Sequence, residues 1–182
     1  MPNASGHLAV AQEVSKKLGI QDDRILIGSI LPDLPKNKTK SHYKVPGKIY
    51  YVPDIQQALK DLDPNDPLDI GILTHLLLDR YYFDEYLVEK YPNQDLFQDS
   101  TIYHDYDILN KDIIQYFQLD VDHIIEVLNQ VQNKEYQRKL KKNQGCLFLK
   151  EEGKTTYLEK EDFIKFLEEV STLIADDIKK YQ

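Results

Sequence analysis

The sequence predicts an all-α fold organised as a single domain over residues 1–182, and three observations support this. Apolar residues recur at the helical period along most of the chain, and helix start and stop signals flank these segments. The composition, 41% hydrophobic and 30% charged, is typical of a globular chain with its own core rather than a disordered one. No internal repeat, low-complexity segment or linker divides the sequence.

The N-terminal part of the chain contains two predicted helices and a loop. Ser5 is expected to cap the first helix, whose apolar stripe ends at Gly19. A short second helix begins near residue 22 and stops at the segment LPDLP, 31–35. Residues 35–53 are polar, rich in lysine and bounded by prolines, so we expect a loop there.

The remaining elements follow from the same signals. The segment QQALKDL, 56–62, predicts a short helix. Asp66 followed by Pro67 is a strong helix start, and the helix that follows is predicted to run to about residue 91. Further helices are predicted over 102–117, 121–142 and 160–180, and a small β-hairpin over 145–158, around Gly153.

Charge and cysteine content narrow the classes of function. The formal net charge of −8 disfavours nonspecific binding to nucleic acid, and the basic cluster RKLKK, 138–142, is expected to be a solvated helix face. The single Cys146 excludes an intramolecular disulfide framework. We see neither a transmembrane segment nor a signal peptide, so a cytoplasmic location is expected.

The segment GILTHLLLDR, 71–80, places two polar side chains on an apolar helix face. His75 and Asp79 are four residues apart, so both lie in the stripe that should face the core. A buried carboxylate without a partner costs several kcal/mol, and a metal ion bound by both side chains would remove that cost. A hydrogen-bonded structural His/Asp pair is the alternative explanation.

Other candidate ligands occur where helices or their ends could converge. His7 lies in the first turn of the first helix, Asp33 follows the second helix, and His42 comes shortly after. Two histidines and two aspartates around one zinc ion would form a neutral site that tolerates burial.

The segment STIYHDYDILN, 100–110, holds a further pair of candidates. On a helix, Asp105 points inward and His104 lies at its edge, and either could complete a second metal site. The alternative for Asp105 is an acidic first helical turn that favours the helix dipole.

Three motifs in order carry a resemblance to a known family: GSILPDL at 28–34, SHY at 41–43 and GILTHLLLDRYY at 71–82. Together they resemble the zinc-dependent phospholipase C family, which is related in fold to the S1/P1-type zinc nucleases. The resemblance covers about residues 1–110. It implies a helical bundle of the phospholipase C/P1 nuclease type and a cluster of up to three zinc ions, which activates water against phosphodiester bonds.

The resemblance also assigns ligands. Asp33, His42, His75 and Asp79 match the ligands of one zinc ion, with Asp79 able to bridge to a second ion that His7 helps to bind. The chain departs from the family in three respects, one of which is that it is shorter than the secreted enzymes. It begins with Met1 where the secreted enzymes use a processed amino terminus as a ligand, and the family's downstream His and HxxxE set is not legible.

We therefore expect a zinc-dependent hydrolase acting on a small phosphoester or phospholipid-like substrate. Asp33 is its expected catalytic residue, as base or water-orienting ligand, and His7, Asp33, His42, His75, Asp79 and His104 are the candidate metal ligands. One alternative is an HD-type metal phosphohydrolase that uses His42, His75, His104, Asp105 and Asp112. Another is a metal-binding helical domain without catalytic activity.

Overall fold

The computed structural model describes residues 3–98, 100–147 and 151–182, and within them the chain is mostly helical. The α-helices are α1 (Ala4–Leu18), α2 (Arg24–Gly28), α3 (Lys38–Ser41), α4 (Ile55–Ala58), α5 (Pro67–Tyr81), α6 (Leu87–Lys90), α7 (Thr101–Tyr116), α8 (Val121–Leu128), α9 (Lys134–Leu147) and α10 (Lys160–Tyr181). A 3₁₀ turn, Leu31–Asp33, follows α2, and a π-helical turn, Tyr82–Tyr86, joins α5 to α6. The prediction of a helical protein is confirmed.

The helix ends show which local signals determine the boundaries. Asp66 caps α5 as predicted, because its side chain accepts hydrogen bonds from the backbone N–H groups of Leu68 and Asp69. The predicted cap of α1 was wrong by two residues: Asn3 is the cap, and Ser5 lies inside the helix. Gly19 ends α1 in the left-handed conformation, at φ 70°, as the sequence predicts.

Three predicted segments need correction. The expected loop over 35–53 contains α3 and an antiparallel hairpin of strands β1 (Lys44–Pro46) and β2 (Tyr51–Pro53), with Val45 opposite Val52. The predicted helix over 121–142 is split into α8 and α9. Its second part starts anew because Asn133 Oδ1 accepts hydrogen bonds from two backbone N–H groups of α9.

The hairpin predicted over 145–158 is the third correction. Residues 145–147 belong to α9, residues 148–150 lie outside the described part, and residues 151–158 contain no strand. The backbone N–H groups of Thr156, Tyr157 and Leu158 donate to the carboxylate of Asp105 instead of to a second strand. This distant partner is not visible in the local sequence.

Helix α5 lies at the centre of the packing and contacts α1, α2 and α10. Its approach to α2 is unusually close because glycines face each other there. A Cβ atom added to Gly28 would lie 2.0 Å from the carbonyl oxygen of Leu68, and one added to Gly71 would lie 2.2 Å from that of Ile25. Only glycine fits at either position with this backbone spacing.

Buried apolar residues from most of the helices form one hydrophobic cluster. It includes Leu8 of α1, Ile25 of α2, Leu76 of α5, Ile102 of α7 and Phe163 of α10. The helices therefore share a core against which polar side chains on α1 and α5 are held. Among the helices that the structure describes, none combines the length and the apolar character that crossing a bilayer requires.

Candidate metal centre

Five side chains converge where α1 and α5 meet the segment that follows α2. His7 comes from α1, Asp33 from the end of the 3₁₀ turn, and His42 from the residue after α3; His75 and Asp79 come from α5. The three histidines and Asp79 are almost completely buried, whereas Asp33 is 18% exposed. We call these five residues the His/Asp cluster.

A backbone carbonyl fixes the orientation of His75. Its Nδ1 lies 2.7 Å from the carbonyl oxygen of Ser29. Because a carbonyl can only accept, Nδ1 carries the proton and Nε2 keeps its lone pair in the neutral ring. The close packing of α2 against α5 brings this carbonyl within reach.

The hydroxyl group of Ser41 fixes the orientation of the His42 ring. Ser41 Oγ donates to the carbonyl oxygen of Pro32 at 2.7 Å, so it accepts from His42 Nδ1 at 3.0 Å. His42 Nε2 therefore also carries a lone pair. The Nε2 atoms of His42 and His75 face each other at 3.1 Å, an arrangement of two acceptors that a bound cation would stabilise.

Two carboxylate oxygens lie beside these nitrogens, and we call the four atoms the first donor set. Asp33 Oδ1 lies 3.5 Å from His42 Nε2. Asp79 Oδ2 lies 3.6 Å from His42 Nε2 and 3.7 Å from His75 Nε2. Ligands about 2.0–2.1 Å from a tetrahedral zinc ion are about 3.3 Å apart, so these spacings are close to those of a zinc site.

His7 lies beside this donor set and forms a second group with His75 and Asp79. Its ring stacks on that of His75, with centroids 3.8 Å apart and planes 8° from parallel. His7 Nε2 is 3.6 Å from Asp79 Oδ1, the oxygen that the first donor set does not use. Both donor groups, His7 with His75 and Asp79, and Asp33 with His42 and His75, have ligand atoms within 4.8 Å of one another.

Unsatisfied polar atoms concentrate in the second group. Both ring nitrogens of His7 and Oδ1 of Asp79 are buried and make no hydrogen bond within the described residues. Leaving such atoms without a partner costs about 1–3 kcal/mol each. A bound cation would satisfy one His7 nitrogen and Asp79 Oδ1 together.

Burial sets the charge states of these side chains. It lowers the pKa of His7 well below its usual range and also lowers the pKa of His75. Burial raises the pKa of Asp79, and the nearby His75 offsets this only in part. Neutral histidines are the form that binds metal.

Asp33 behaves differently. Burial by itself would raise its pKa, and the ammonium group of Lys38 acts against burial and lowers the pKa. Lys38 Nζ lies 2.7 Å from Asp33 Oδ1, and Lys38 itself is 45% exposed. Asp33 is thus an ionised carboxylate at the edge of the cluster that faces solvent.

The structure brings together five of the six predicted metal ligands, and His104 is the exception. His104 Nδ1 pairs with Glu151 at 2.9 Å, and its side chain is 58% exposed, so it belongs to neither donor group. The neighbouring Asp105 is buried but is held by three backbone N–H groups. His104 lies at the edge of α7 and is exposed, because the face of α7 that carries Asp105 is turned toward the core.

Sequence reasoning missed three residues that position the cluster: Ser29, Ser41 and Lys38. Ser29 acts through its backbone carbonyl. Every residue type has such a carbonyl, so the identity of the residue does not indicate this role. Ser41 precedes His42 in the SHY motif, and this adjacency could have suggested a hydrogen bond to the ring. Lys38 lies five residues from Asp33, and the 3₁₀ turn brings the two together.

Comparison of the chain with models of protein families, with curated proteins and with solved structures finds no match.

Proposed function

We propose that the protein is a zinc-dependent hydrolase that acts on a small phosphoester, with the His/Asp cluster as its metal centre. The observation that carries the proposal is the pair of Nε2 lone pairs of His42 and His75, 3.1 Å apart, with carboxylate oxygens of Asp33 and Asp79 beside them. The choice of phosphoester rests on the resemblance of the three motifs to the zinc-dependent phospholipase C family. The proposed fold type, a phospholipase C/P1 nuclease bundle, rests on the same motifs.

The donor set suits a divalent cation in chemistry and in charge. Nitrogen and carboxylate ligands are those that zinc prefers, and two aspartates with neutral histidines balance a charge of +2. Asp79 would share its two oxygens between the first donor set and His7, which leaves room for a second ion. A bound zinc ion would lower the pKa of a coordinated water and stabilise negative charge on a phosphoryl oxygen.

Asp33 is the residue that this chain offers to the reaction. It is the only partly exposed member of the cluster, so a substrate or water molecule reaches it first. Because Lys38 Nζ lies 2.7 Å from Asp33 Oδ1 and stabilises the ionised carboxylate, Asp33 is a weak base at neutral pH. We therefore assign it the role of a ligand that orients water through a hydrogen bond, in preference to that of a general base.

The HD-type alternative fits the geometry less well. It needs His104, Asp105 and Asp112 near the metal. His104 pairs with Glu151, the carboxylate of Asp105 is occupied by backbone N–H groups, and Asp112 pairs with Lys160 at 2.7 Å. His7 and Asp79, which have no role under that alternative, lie in the cluster.

The depth of the cluster favours a second candidate function, a metal-binding domain without catalysis. Four of its five side chains are shielded from solvent, as in closed structural zinc sites. One experiment separates the two functions. Purified protein is analysed for metal content and is then assayed with zinc and bis(p-nitrophenyl) phosphate.

A hydrolase binds at least one zinc ion per chain and cleaves the diester, and the variant Asp33→Asn keeps zinc but loses activity by about 100-fold or more. The matched control is Asp122→Asn, the same change on an exposed position of α8, with unchanged activity. Zinc binding without turnover supports the non-catalytic domain. A protein that stays metal-free after zinc addition contradicts both.

A further inference from the structure

A cavity outside the His/Asp cluster is lined in part by Ser41, the residue that precedes His42. It has a volume of about 390 Å³ and is bounded by the 3₁₀ turn, α3, the end of the α4 region, α5 and α9. Its walls are largely apolar, with Leu31, Leu62, Ile72 and Tyr136 among them. Predominantly apolar walls with a few polar groups are the usual composition of a small-molecule site.

The charge on the side chains that line the cavity is positive. Among the described residues that line it, Lys40 alone is charged, and its ammonium group has no ion-pair partner in the described part of the chain. Lys40 belongs to a segment, 36–53, that contains five lysines and no carboxylate, although the whole chain has a net charge of −8. An anion is therefore favoured here and a cation is not.

Asn37 supplies a second donor beside Lys40. Its Oδ1 accepts a hydrogen bond from the backbone N–H of Lys40 at 3.2 Å, so its Nδ2 group is left to donate to a ligand. Asn37 and Lys40 both line the cavity. Together they form a polar end to a cleft that is otherwise mostly apolar.

We propose that this cavity binds a small amphiphilic anion, whose apolar body contacts Leu62, Ile72 and Tyr136 and whose acidic head group contacts Lys40. Its wall includes Ser41 and Pro32, and the hydrogen bond between these two residues orients His42. The site thus shares Ser41 and Pro32 with the hydrogen bonds that orient His42. The proposal goes beyond the hydrolase function and does not depend on it.

The absence of tryptophan from the chain allows a direct test. The variant Tyr136→Trp places one tryptophan in the cavity wall, and its fluorescence is followed during titration with octanoate. We expect a saturable emission change. Tyr103→Trp, at an exposed position that does not line the cavity, is the matched reporter and is expected to show none.

Head-group recognition is tested on the Tyr136→Trp background. Adding Lys40→Met should weaken octanoate binding by about tenfold, the loss of one charge-assisted hydrogen bond. Lys36→Met, the same charge change in the same segment at a residue that does not line the cavity, should leave it within about twofold. The neutral octan-1-ol should bind weakly and respond to neither lysine variant.

Three results would overturn the proposal: no saturable emission change in the Tyr136→Trp variant, equal effects of the two lysine variants, or octan-1-ol binding as tight as octanoate. Circular dichroism of each variant confirms that the helices are intact. Because both lysines are exposed, these substitutions leave the core unchanged.

Discussion

Two aspartates of this protein are equally buried but differ in how their charges are satisfied. Asp105 accepts hydrogen bonds from the backbone N–H groups of Thr156, Tyr157 and Leu158, at 2.7–3.0 Å. Asp79 has no hydrogen-bond donor for Oδ1 among the described residues, and its Oδ2 faces histidine nitrogens that carry lone pairs. The fold itself thus supplies donors to Asp105, whereas the described residues supply none to Oδ1 of Asp79.

The contrast shows that burial of a carboxylate does not by itself indicate a functional site. What distinguishes the two is the identity of the neighbouring atoms: N–H groups around Asp105 and acceptors around Asp79. The difference leads to opposite expectations for the same kind of substitution at the two aspartates.

The largest effect is expected at Asp105. Asp105→Ala leaves three backbone N–H groups without their acceptor and should lower the free energy of unfolding by about 3–5 kcal/mol. Urea denaturation measures the change. Asp105→Asn, which keeps one oxygen as an acceptor, should cost less. A zinc content that falls in folded Asp105→Asn protein would show that Asp105 serves the metal centre after all.

Zinc should stabilise the wild-type protein and not the Asp79→Asn variant. At a zinc concentration 100 times the dissociation constant, the gain in free energy of unfolding is about 2.7 kcal/mol. Asp79→Asn should lose most of this gain. Without metal, the same variant should be more stable than wild type by about 1–2 kcal/mol, because an unpaired buried charge is removed. Destabilisation of metal-free Asp79→Asn would mean that Asp79 is already satisfied.

The histidines of the cluster should make the metal-free protein acid-sensitive. The pKa values of His7 and His75 are lowered in the native state, so below about pH 6.5 the unfolded chain binds protons that the native state does not. Stability should fall with decreasing pH by up to about 1.4 kcal/mol per pH unit for each histidine.

Thermal unfolding between pH 7 and pH 5 measures this slope, and His7→Gln should reduce it. Asp79, whose pKa is raised, acts in the opposite sense: it makes the native state lose stability as pH rises from about 3.9. The His7→Gln comparison separates the histidine contribution. An unchanged slope in this variant would contradict the assignment of His7 as a buried neutral histidine.

The smallest effect is expected at His104, the neighbour of Asp105. His104→Ala removes an exposed pair with Glu151 and should change the free energy of unfolding by less than about 0.5 kcal/mol. Zinc content and the zinc-induced stabilisation should stay at wild-type values. A drop in bound zinc would restore His104 to the set of metal ligands.

The sequence predicted the part of the site that local geometry controls. The i, i+4 spacing of His75 and Asp79 on an apolar face was enough to predict that both point inward, and both are buried. The positions of Asp33 and His42 next to helix ends indicated where further ligands could converge. Zinc and hydrolysis stay predictions until metal and activity are measured.

Contacts between distant segments were beyond sequence reasoning. Sequence reasoning placed Asp105 inward and His104 at the helix edge, but it did not indicate the approach of residues 156–158, some fifty positions later, which satisfies Asp105. The β-hairpin was expected after α9 but lies at 44–53, where paired prolines and lysines suggested an irregular loop. The hydrogen bonds to Asp105 join residues whose proximity depends on tertiary packing, whereas the hairpin pairs residues at most nine positions apart.

The contact between Gly28 and Gly71 has a consequence for how far this sequence can change. Two positions 43 residues apart must both lack a side chain, or the Ser29 carbonyl moves away from the ring of His75. Alanine at either glycine would thus act on His75, a candidate metal ligand that it does not touch. The tolerance of the cluster to substitution is therefore limited by a helix contact made without side chains, as well as by the ligands.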